Sequence, residues 1–151
     1  MAGQGGAVNA RDESVVLRPG RREDPHMAPT MRYDELRART PRDVFEDHLR
    51  LAAEHRFDED IARNVSPDIV VLERRGVFRG VEGVRLLAQW LLEELGDAPY
   101  EYTNVLIEGP VAFLEWTSDG PRARVRDGAD SFFIENGWIV AQTIHYTVEA
   151  K

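Results

Sequence analysis

The chain has 151 residues, no cysteine and a formal net charge of −8 at pH 7. This length suits one domain with its own hydrophobic core, and the lack of cysteine excludes disulfides and thiolate chemistry. The acidic excess lies beyond residue 40, which argues against nucleic acid and anionic membrane surfaces as partners. No apolar run reaches transmembrane length and no signal-peptide pattern begins the chain, so we expect a cytoplasmic protein.

Residues 1–39 have the composition of a flexible tail. The first six residues are rich in glycine, and residues 18–25 mix charges with helix-breaking residues. The one apolar cluster in this segment, Val15–Leu17, is too short to form a core. We therefore expect a single folded domain over residues 40–151.

Three helices are predicted in the first part of this domain. The first has Thr40 as its cap and runs from Pro41 to about His55. A short second helix is capped by Asp58 and ends near Asn64. The third covers roughly residues 82–95, where apolar side chains recur at helical spacing.

Strands are predicted for most of the remainder. After the turn at residues 66–68, a short hairpin over 69–79 precedes the third helix, and four longer strands follow it, at 100–108, 111–118, 122–135 and 138–149. Helices followed by an antiparallel meander indicate an α+β fold, with the helices packed on one side of a curved sheet.

The last hairpin carries the main functional hypothesis. Asn136-Gly137 is a strong signal for a two-residue turn, which sets Asp130 opposite Thr143. Alternation along both strands then places one set of side chains on a shared face: Asp130, Phe132, Ile134, Ile139, Ala141, Thr143, His145 and Thr147. A carboxyl and an imidazole on a mostly apolar face are typical of a pocket.

The opposite face of this hairpin is too apolar for a solvated surface. It is expected to carry Phe133, Trp138, Val140, Ile144, Tyr146 and Val148. This pattern predicts a homodimer joined through the sheets.

The order of elements resembles the nuclear transport factor 2-like superfamily, and within it the SnoaL-like proteins. The resemblance covers residues 41–149 and rests on four motifs, Pro67–Val71, Phe78–Gly80, Leu114–Thr117 and Phe132–Ile139. It implies a cone-shaped, curved antiparallel or mixed sheet wrapped around the N-terminal helices, with an internal pocket. Homodimers are common in this superfamily.

The superfamily includes ketosteroid isomerases, polyketide cyclases, dehydratases, epoxide hydrolases and binding modules, so its fold leaves the function open. Epoxide-hydrolase-like members carry an Arg and an Asp where this chain has Trp116 and Ser118. Their late Asp, which cyclase-like members share, is replaced by Thr147. Epoxide hydrolysis therefore lacks its parts, and Thr147 cannot replace the late Asp of cyclases as an acid or base.

Isomerase-like members fit better. Their general base matches Glu73 and their second acid matches Asp130, while their helix-one Tyr falls near Leu49-Arg50, with His48 close by. By this resemblance a buried Asp130 would be protonated and donate to an enolate oxygen. An ionised Asp130 would instead orient His145 as the acid or base.

The catalytic candidates are thus Asp130, His145 and Glu73, with Glu73 or His145 as the base. The competing interpretations are a surface Asp for Asp130, a hydrogen-bonded sheet histidine for His145 and a solvated ion pair for Glu73. The expected substrate-binding residues are Trp116, Phe132, Thr143, Thr147, Tyr102 and His48. Neither a metal-binding spacing nor a cofactor fingerprint occurs, so no metal or cofactor is expected.

Two functions are consistent with this sequence. One is proton transfer on an apolar, carbonyl-containing small molecule, of the isomerase, cyclase or dehydratase type. The alternative is a ligand-binding or dimerisation module without turnover. Carboxyls of Glu73 and Asp130 converging on one cavity would favour catalysis, whereas a pocket filled by Trp116, Phe132 and tyrosine side chains would favour the module.

Overall fold

A computed structural model describes residues 31–151 of the chain. The elements in chain order are α1 (Tyr33–Arg37), α2 (Pro41–Ala53), α3 (Phe57–Asn64), β1 (Val65–Glu73), β2 (Gly76–Arg79), α4 (Gly80–Leu95), β3 (Tyr100–Glu108), β4 (Val111–Asp119), β5 (Ala123–Glu135), β6 (Trp138–His145) and β7 (Glu149–Ala150).

The first long helix begins where the sequence predicts. The Thr40 hydroxyl accepts from the backbone N–H of Asp43, whose carboxylate accepts from the backbone N–H of Thr40, and Pro41 occupies the first turn. The predicted start of the next helix, with Asp58 as its cap, is wrong by two residues. Helix α3 begins at Phe57, with Arg56 at the cap position, and Asp58 lies in its first turn, where a carboxylate favours the helix dipole.

The seven strands form one mixed sheet. Its order is β2-β1-β6-β5-β4-β3, with β1 and β6 parallel, the other neighbours on this path antiparallel, and β7 paired with β5. Strand β1 starts at Val65, earlier than predicted, because the segment around Ser66-Pro67 is accommodated as an irregularity in its pairing with β6. The last strand, predicted to run to residue 149, ends at His145. Beyond it only Glu149 and Ala150 pair with the sheet, as β7.

The helices cover one face of this curved sheet, which confirms the predicted α+β fold. The shared core consists of buried apolar side chains from both layers, among them Val44, Phe45, Ile61, Ile69, Val71, Leu87, Leu114, Phe132, Ile134 and Ile139. Within residues 31–151, no helix is long and apolar enough to cross a lipid bilayer.

A β-bulge in the last hairpin changes which side chains share a face. Ile134 pairs with Ile139 across the Asn136-Gly137 turn as predicted, but Phe133 pairs with Ala141, so Val140 is an extra residue in β6. Because side chains alternate along a strand, one inserted residue reverses the orientation of every β6 side chain after it. The predicted set of inward-facing residues is therefore wrong from residue 141 onward.

After the bulge, Asp130 lies opposite Ile144 rather than Thr143. Ile144 and the buried Tyr146, expected on the outer face, lie with the core on the helix side. Thr143, His145 and Thr147 are exposed. This single insertion separates Asp130 from its predicted partner, His145.

The described part of the predicted tail makes specific contacts with the domain. The guanidinium of Arg37 lies over the ring of Trp138 and donates to the carbonyl oxygen of Arg63, with an Nη2–O distance of 2.7 Å. Gly137 lets this segment approach, since a Cβ there would overlap the backbone of Leu36 and Arg37. Residues 31–39 are thus attached to the domain, and the rest of the predicted tail lies outside the described residues.

Candidate functional site

A cavity of about 110 Å³ lies between the helices and the sheet. Its walls are mostly apolar and come from α2, α3, α4 and five of the strands. The polar groups that reach it belong to His48, Asp60, Tyr100, Tyr102, Trp116, Asp130 and Gln142. A small apolar space with a few convergent polar groups has the character of a ligand site.

Asp130 is the buried carboxyl of this cavity. It projects from β5 and is only 8% exposed. The indole Nε1 of Trp116 donates to its Oδ1 at 3.0 Å, and the Nε2 of Gln142 donates to its Oδ2 at 3.1 Å. The indole has room because its strand neighbour is Gly128, where a Cβ would overlap the ring.

Burial raises the pKa of Asp130 to about 6. The hydrogen bonds from Trp116 and Gln142 and the nearby His48 oppose this rise, since each favours the ionised form. The desolvation of the carboxylate outweighs them. Asp130 therefore gains and loses its proton close to neutral pH, which suits a general base.

His48 is the second titratable group that faces the cavity. It projects from α2, and its Nδ1 lies 2.8 Å from Oδ2 of Asp60 on α3. The other oxygen of Asp60 accepts from Nδ2 of Asn64 at 2.8 Å, one helical turn further along α3. The imidazole edge also packs against the ring of Phe132, with a centroid separation of 5.1 Å.

The pKa of His48 is raised above its ordinary value. Burial lowers it, but the charge and hydrogen bond of Asp60, with the charge of Asp130, outweigh that effect. The Asp60 carboxylate accepts a hydrogen bond from Nδ1–H of His48, which fixes the ring orientation. No residue in the described part of the chain forms a hydrogen bond with Nε2 of His48, so this nitrogen is available to a ligand.

Two tyrosines complete the polar wall, and they differ in their hydroxyls. The Tyr102 hydroxyl donates to the carbonyl oxygen of Leu49 at 2.7 Å, so it braces β3 against α2. The Tyr100 hydroxyl has no such partner within residues 31–151. Burial raises the pKa of Tyr100 to about 12 and that of Tyr102 as well, so both remain neutral donors.

The structure brings four of the predicted site residues to the cavity: Asp130, His48, Trp116 and Tyr102. Phe132 lies beneath it in the core, 2% exposed, where it supports the ring of His48. Thr143, Thr147 and His145 do not belong to the site, because the bulge turns this part of the chain outward. His145 is 62% exposed and pairs with Asp127 at 3.4 Å.

Glu73 is buried but not in the cavity. Its Oε2 accepts from the backbone N–H of Arg75 at 2.9 Å, and the Arg74 guanidinium approaches Oε1 at 3.6 Å. An ion pair therefore fits the geometry of Glu73 better than the role of base, although the carboxylate is buried and not solvated as that interpretation expects. Convergence of Glu73 and Asp130 on one cavity, the predicted mark of catalysis, does not occur.

Sequence reasoning missed Asp60, Gln142 and Tyr100. Gln142 was hidden by the bulge, for which the residues around Val140 give no signal. Asp60 belongs to the second helix, and the spacing of Asp60 and Asn64 places them on one side of that helix, next to the buried Ile61. That polar pair on a buried face was a usable signal. Residues 31–151 contain no cluster of side chains suited to a metal ion.

Residues 45–142 match the family of SnoaL-like domains, a stretch of well over half the chain. The chain belongs to the SnoaL-like domain family. This confirms the resemblance inferred from the sequence motifs. No significant match occurs among curated proteins.

Solved structures support the same fold for this SnoaL-like protein. A candidate ketosteroid isomerase from Kribbella flavida is 18% identical, with a TM-score of 0.61 over 74% of this chain and 79% of its own. A candidate SnoaL-like polyketide cyclase from Mesorhizobium loti is 20% identical, with a TM-score of 0.55 over 72% of this chain and 100% of its own.

A de novo designed protein with a curved β-sheet is similar to the same degree. It is 20% identical, with a TM-score of 0.57 over 71% of this chain and 84% of its own. Likeness at these identities establishes the fold alone, and function has to be argued from the cavity.

Replacing Gln142 by Leu tests the hydrogen bonding of Asp130. The change removes one donor to the carboxylate, so we expect the pKa of Asp130 to rise above 6 by about one pH unit. Carbon-detected NMR titration of the carboxyl measures this value. Gln89→Leu, which removes an exposed amide bonded to Glu93, is the matched control and leaves the titration unchanged. An unshifted or lowered pKa in Gln142→Leu would contradict the assignment.

Proposed function

We propose that this SnoaL-like protein catalyses proton transfer on an apolar, carbonyl-containing small molecule, as an isomerase, cyclase or dehydratase does. The observation that supports it most is that a carboxyl and an imidazole line the same apolar cavity. Both Asp130 and His48 have pKa values shifted upward, Asp130 chiefly by burial and His48 by the carboxylates near it. Titratable groups with shifted pKa values that line one pocket are typical of sites for acid–base catalysis.

The two pKa values assign a role to each group. Above about pH 6 Asp130 is mainly ionised, and below its raised pKa His48 is mainly protonated. Between these limits the cavity holds a carboxylate and an imidazolium. Asp130 then removes a proton from the carbon next to the substrate carbonyl, and Nε2–H of His48 donates to the carbonyl oxygen as negative charge develops there.

This assignment differs from the one that the sequence suggests. The resemblance to isomerases makes Glu73 the base and Asp130 the donor, and the hairpin pattern offers His145 as an alternative acid or base. In the proposed scheme Asp130 is the base and His48 is the acid, with Asp60 as a positioning residue. Asp60 touches the imidazole and lies at the cavity wall, and its charge keeps His48 protonated.

The walls favour an apolar substrate. Leu49, Ala52, Leu87 and Leu91 present only hydrocarbon to the cavity. A charged substrate would lose its hydration among these hydrocarbon side chains, a cost that an apolar substrate does not incur. In such surroundings the hydrogen bond from His48 to a developing oxyanion is stronger than it would be in water.

Exchange of α-hydrogens tests this proposal without knowledge of the natural substrate. Cyclohexanone in D₂O, followed by proton NMR, is expected to lose its α-proton signals faster with the protein than in buffer. We expect Asp130→Asn and His48→Gln each to slow this exchange by roughly 100-fold or more, because each removes a proton-transfer group.

The matched controls are Asp127→Asn and His145→Gln, which change the same residue types in the exposed pair. We expect both to exchange within twofold of the unmodified protein. Equal loss in controls and site variants would contradict the proposal. Saturable binding of cyclohexanone with no acceleration of exchange would favour the alternative of a binding module.

We also propose that two copies associate through the sheet faces that turn away from the helices. One row of register partners crosses five strands of this outer face: Leu72, Thr143, Ser131, Phe113 and Leu106. Leu72 is 48% exposed and Leu106 is 57% exposed, with Val77, Val111 and Phe133 also exposed nearby. Several exposed apolar side chains on one face of a sheet are typical of an interface.

Leu106→Glu is expected to weaken this dimer, because it places a charge in an apolar part of the proposed contact. Sedimentation at micromolar concentration should show a dimer for the unmodified protein and a shift toward monomer for the variant. Leu92→Glu, at an exposed leucine on α4 that is 46% exposed, is the control and should leave the dimer intact. A monomeric unmodified protein would contradict the proposal.

A further inference from the structure

The ring of Tyr100 is held in place at the cavity wall by two aromatic neighbours. It meets the indole of Trp116 edge-on, with centroids 5.5 Å apart and planes at 82°, and it lies against the imidazole of His55 at 5.5 Å. Packing of this kind fixes a ring without occupying its polar end. The orientation of the Tyr100 ring therefore does not depend on its hydroxyl.

The hydroxyl of Tyr100 forms no hydrogen bond with another group of residues 31–151, unlike those of two other tyrosines. Tyr102 donates to Leu49, and the Tyr146 hydroxyl donates to Glu94 at 2.8 Å. Tyr100 has no equivalent hydrogen bond in the described part of the chain, although its side chain lines the cavity. Because this hydroxyl is accessible from the cavity and is not bound to another group of the described residues, it is free to bind a ligand.

This hydroxyl lies on the side of the cavity that holds Asp130. The indole that packs against Tyr100 is the one that donates to the Asp130 carboxylate. Burial, with the charge of Asp130 second to it, raises the pKa of Tyr100 to about 12. Tyr100 is therefore a donor at every pH at which Asp130 acts as a base.

The cavity volume limits the size of the ligand. A cavity of about 110 Å³ compares with an engineered apolar cavity of about 150 Å³ that accommodates benzene. A group of about one six-membered ring is therefore what the cavity encloses, and any further part of a ligand would extend through its opening to solvent. The carbonyl of such a ring would take the hydrogen bond from His48.

We propose that Tyr100 determines substrate specificity by donating a hydrogen bond to a second oxygen on a single-ring ketone. This inference rests on the proposed function, since His48 binds the first oxygen and Asp130 removes the proton. The substrate class is then a small cyclic ketone that also carries a hydroxyl group.

Equilibrium binding of three probes tests this inference. Cyclohexanone has one oxygen, whereas 2-hydroxycyclohexanone and 4-hydroxycyclohexanone carry the second oxygen at two different distances from the first. We expect the unmodified protein to bind at least one hydroxyketone about fivefold more tightly than cyclohexanone, as one added hydrogen bond implies. Tyr100→Phe should abolish this preference and leave the affinity for cyclohexanone within twofold.

Tyr146→Phe is the matched control, because it removes a hydroxyl whose partners lie outside the cavity wall. It should lower the Tm and keep the preference for the hydroxyketone. A preference that survives in Tyr100→Phe would overturn the inference, as would an unmodified protein that binds none of the probes or shows no preference.

The two proposals can fail separately. Binding is measured without turnover, so a failed role for Tyr100 leaves the exchange of cyclohexanone and its dependence on Asp130 and His48 unaffected. Loss of exchange activity with an intact hydroxyketone preference would instead count against the catalytic proposal alone.

Discussion

A buried carboxylate held by two neutral donors is the constraint on which the site depends. Asp130 has little water around it, so its ionised form relies on Trp116 and Gln142. Each donor needs its own feature of the backbone. The indole needs the space at Gly128, and Gln142 faces inward because of the bulge at Val140. The sheet geometry thus sets the acidity of one side chain.

The helices supply the complementary charge. In the hairpin of α2 and α3, His48 and Asp60 meet across the contact, and Asn64 binds the remaining oxygen of Asp60. Burial alone would make His48 neutral, but the carboxylates near it reverse that effect. The base, Asp130, is therefore attached to the sheet, and the acid, His48, is attached to a helix. Packing of the helices on the sheet places both at one cavity.

Much of the fold follows from local signals in the sequence. The Thr40-Pro41 start of α2, the Asn136-Gly137 turn and the helix-then-meander order are set by capping, turn chemistry and periodicity, which act over a few residues. Asp130, Trp116, Tyr102 and His48 were found because their strands and helix were placed correctly. Two partners are not predictable in this way, Gln142 for Asp130 and Asp60 for His48, because the bulge at Val140 and the α2–α3 contact depend on tertiary packing.

The decisive measurement is an NMR titration of His48 and Asp130 in the same sample. We expect Asp130 to titrate near pH 6 and His48 above its ordinary value of 6.5, so that both are charged in between. We also expect Asp60→Asn to lower the pKa of His48, because the variant removes the nearest negative charge. A His48 that titrates below 6.5 in the unmodified protein, or that does not respond to Asp60→Asn, would contradict the paired acid and base.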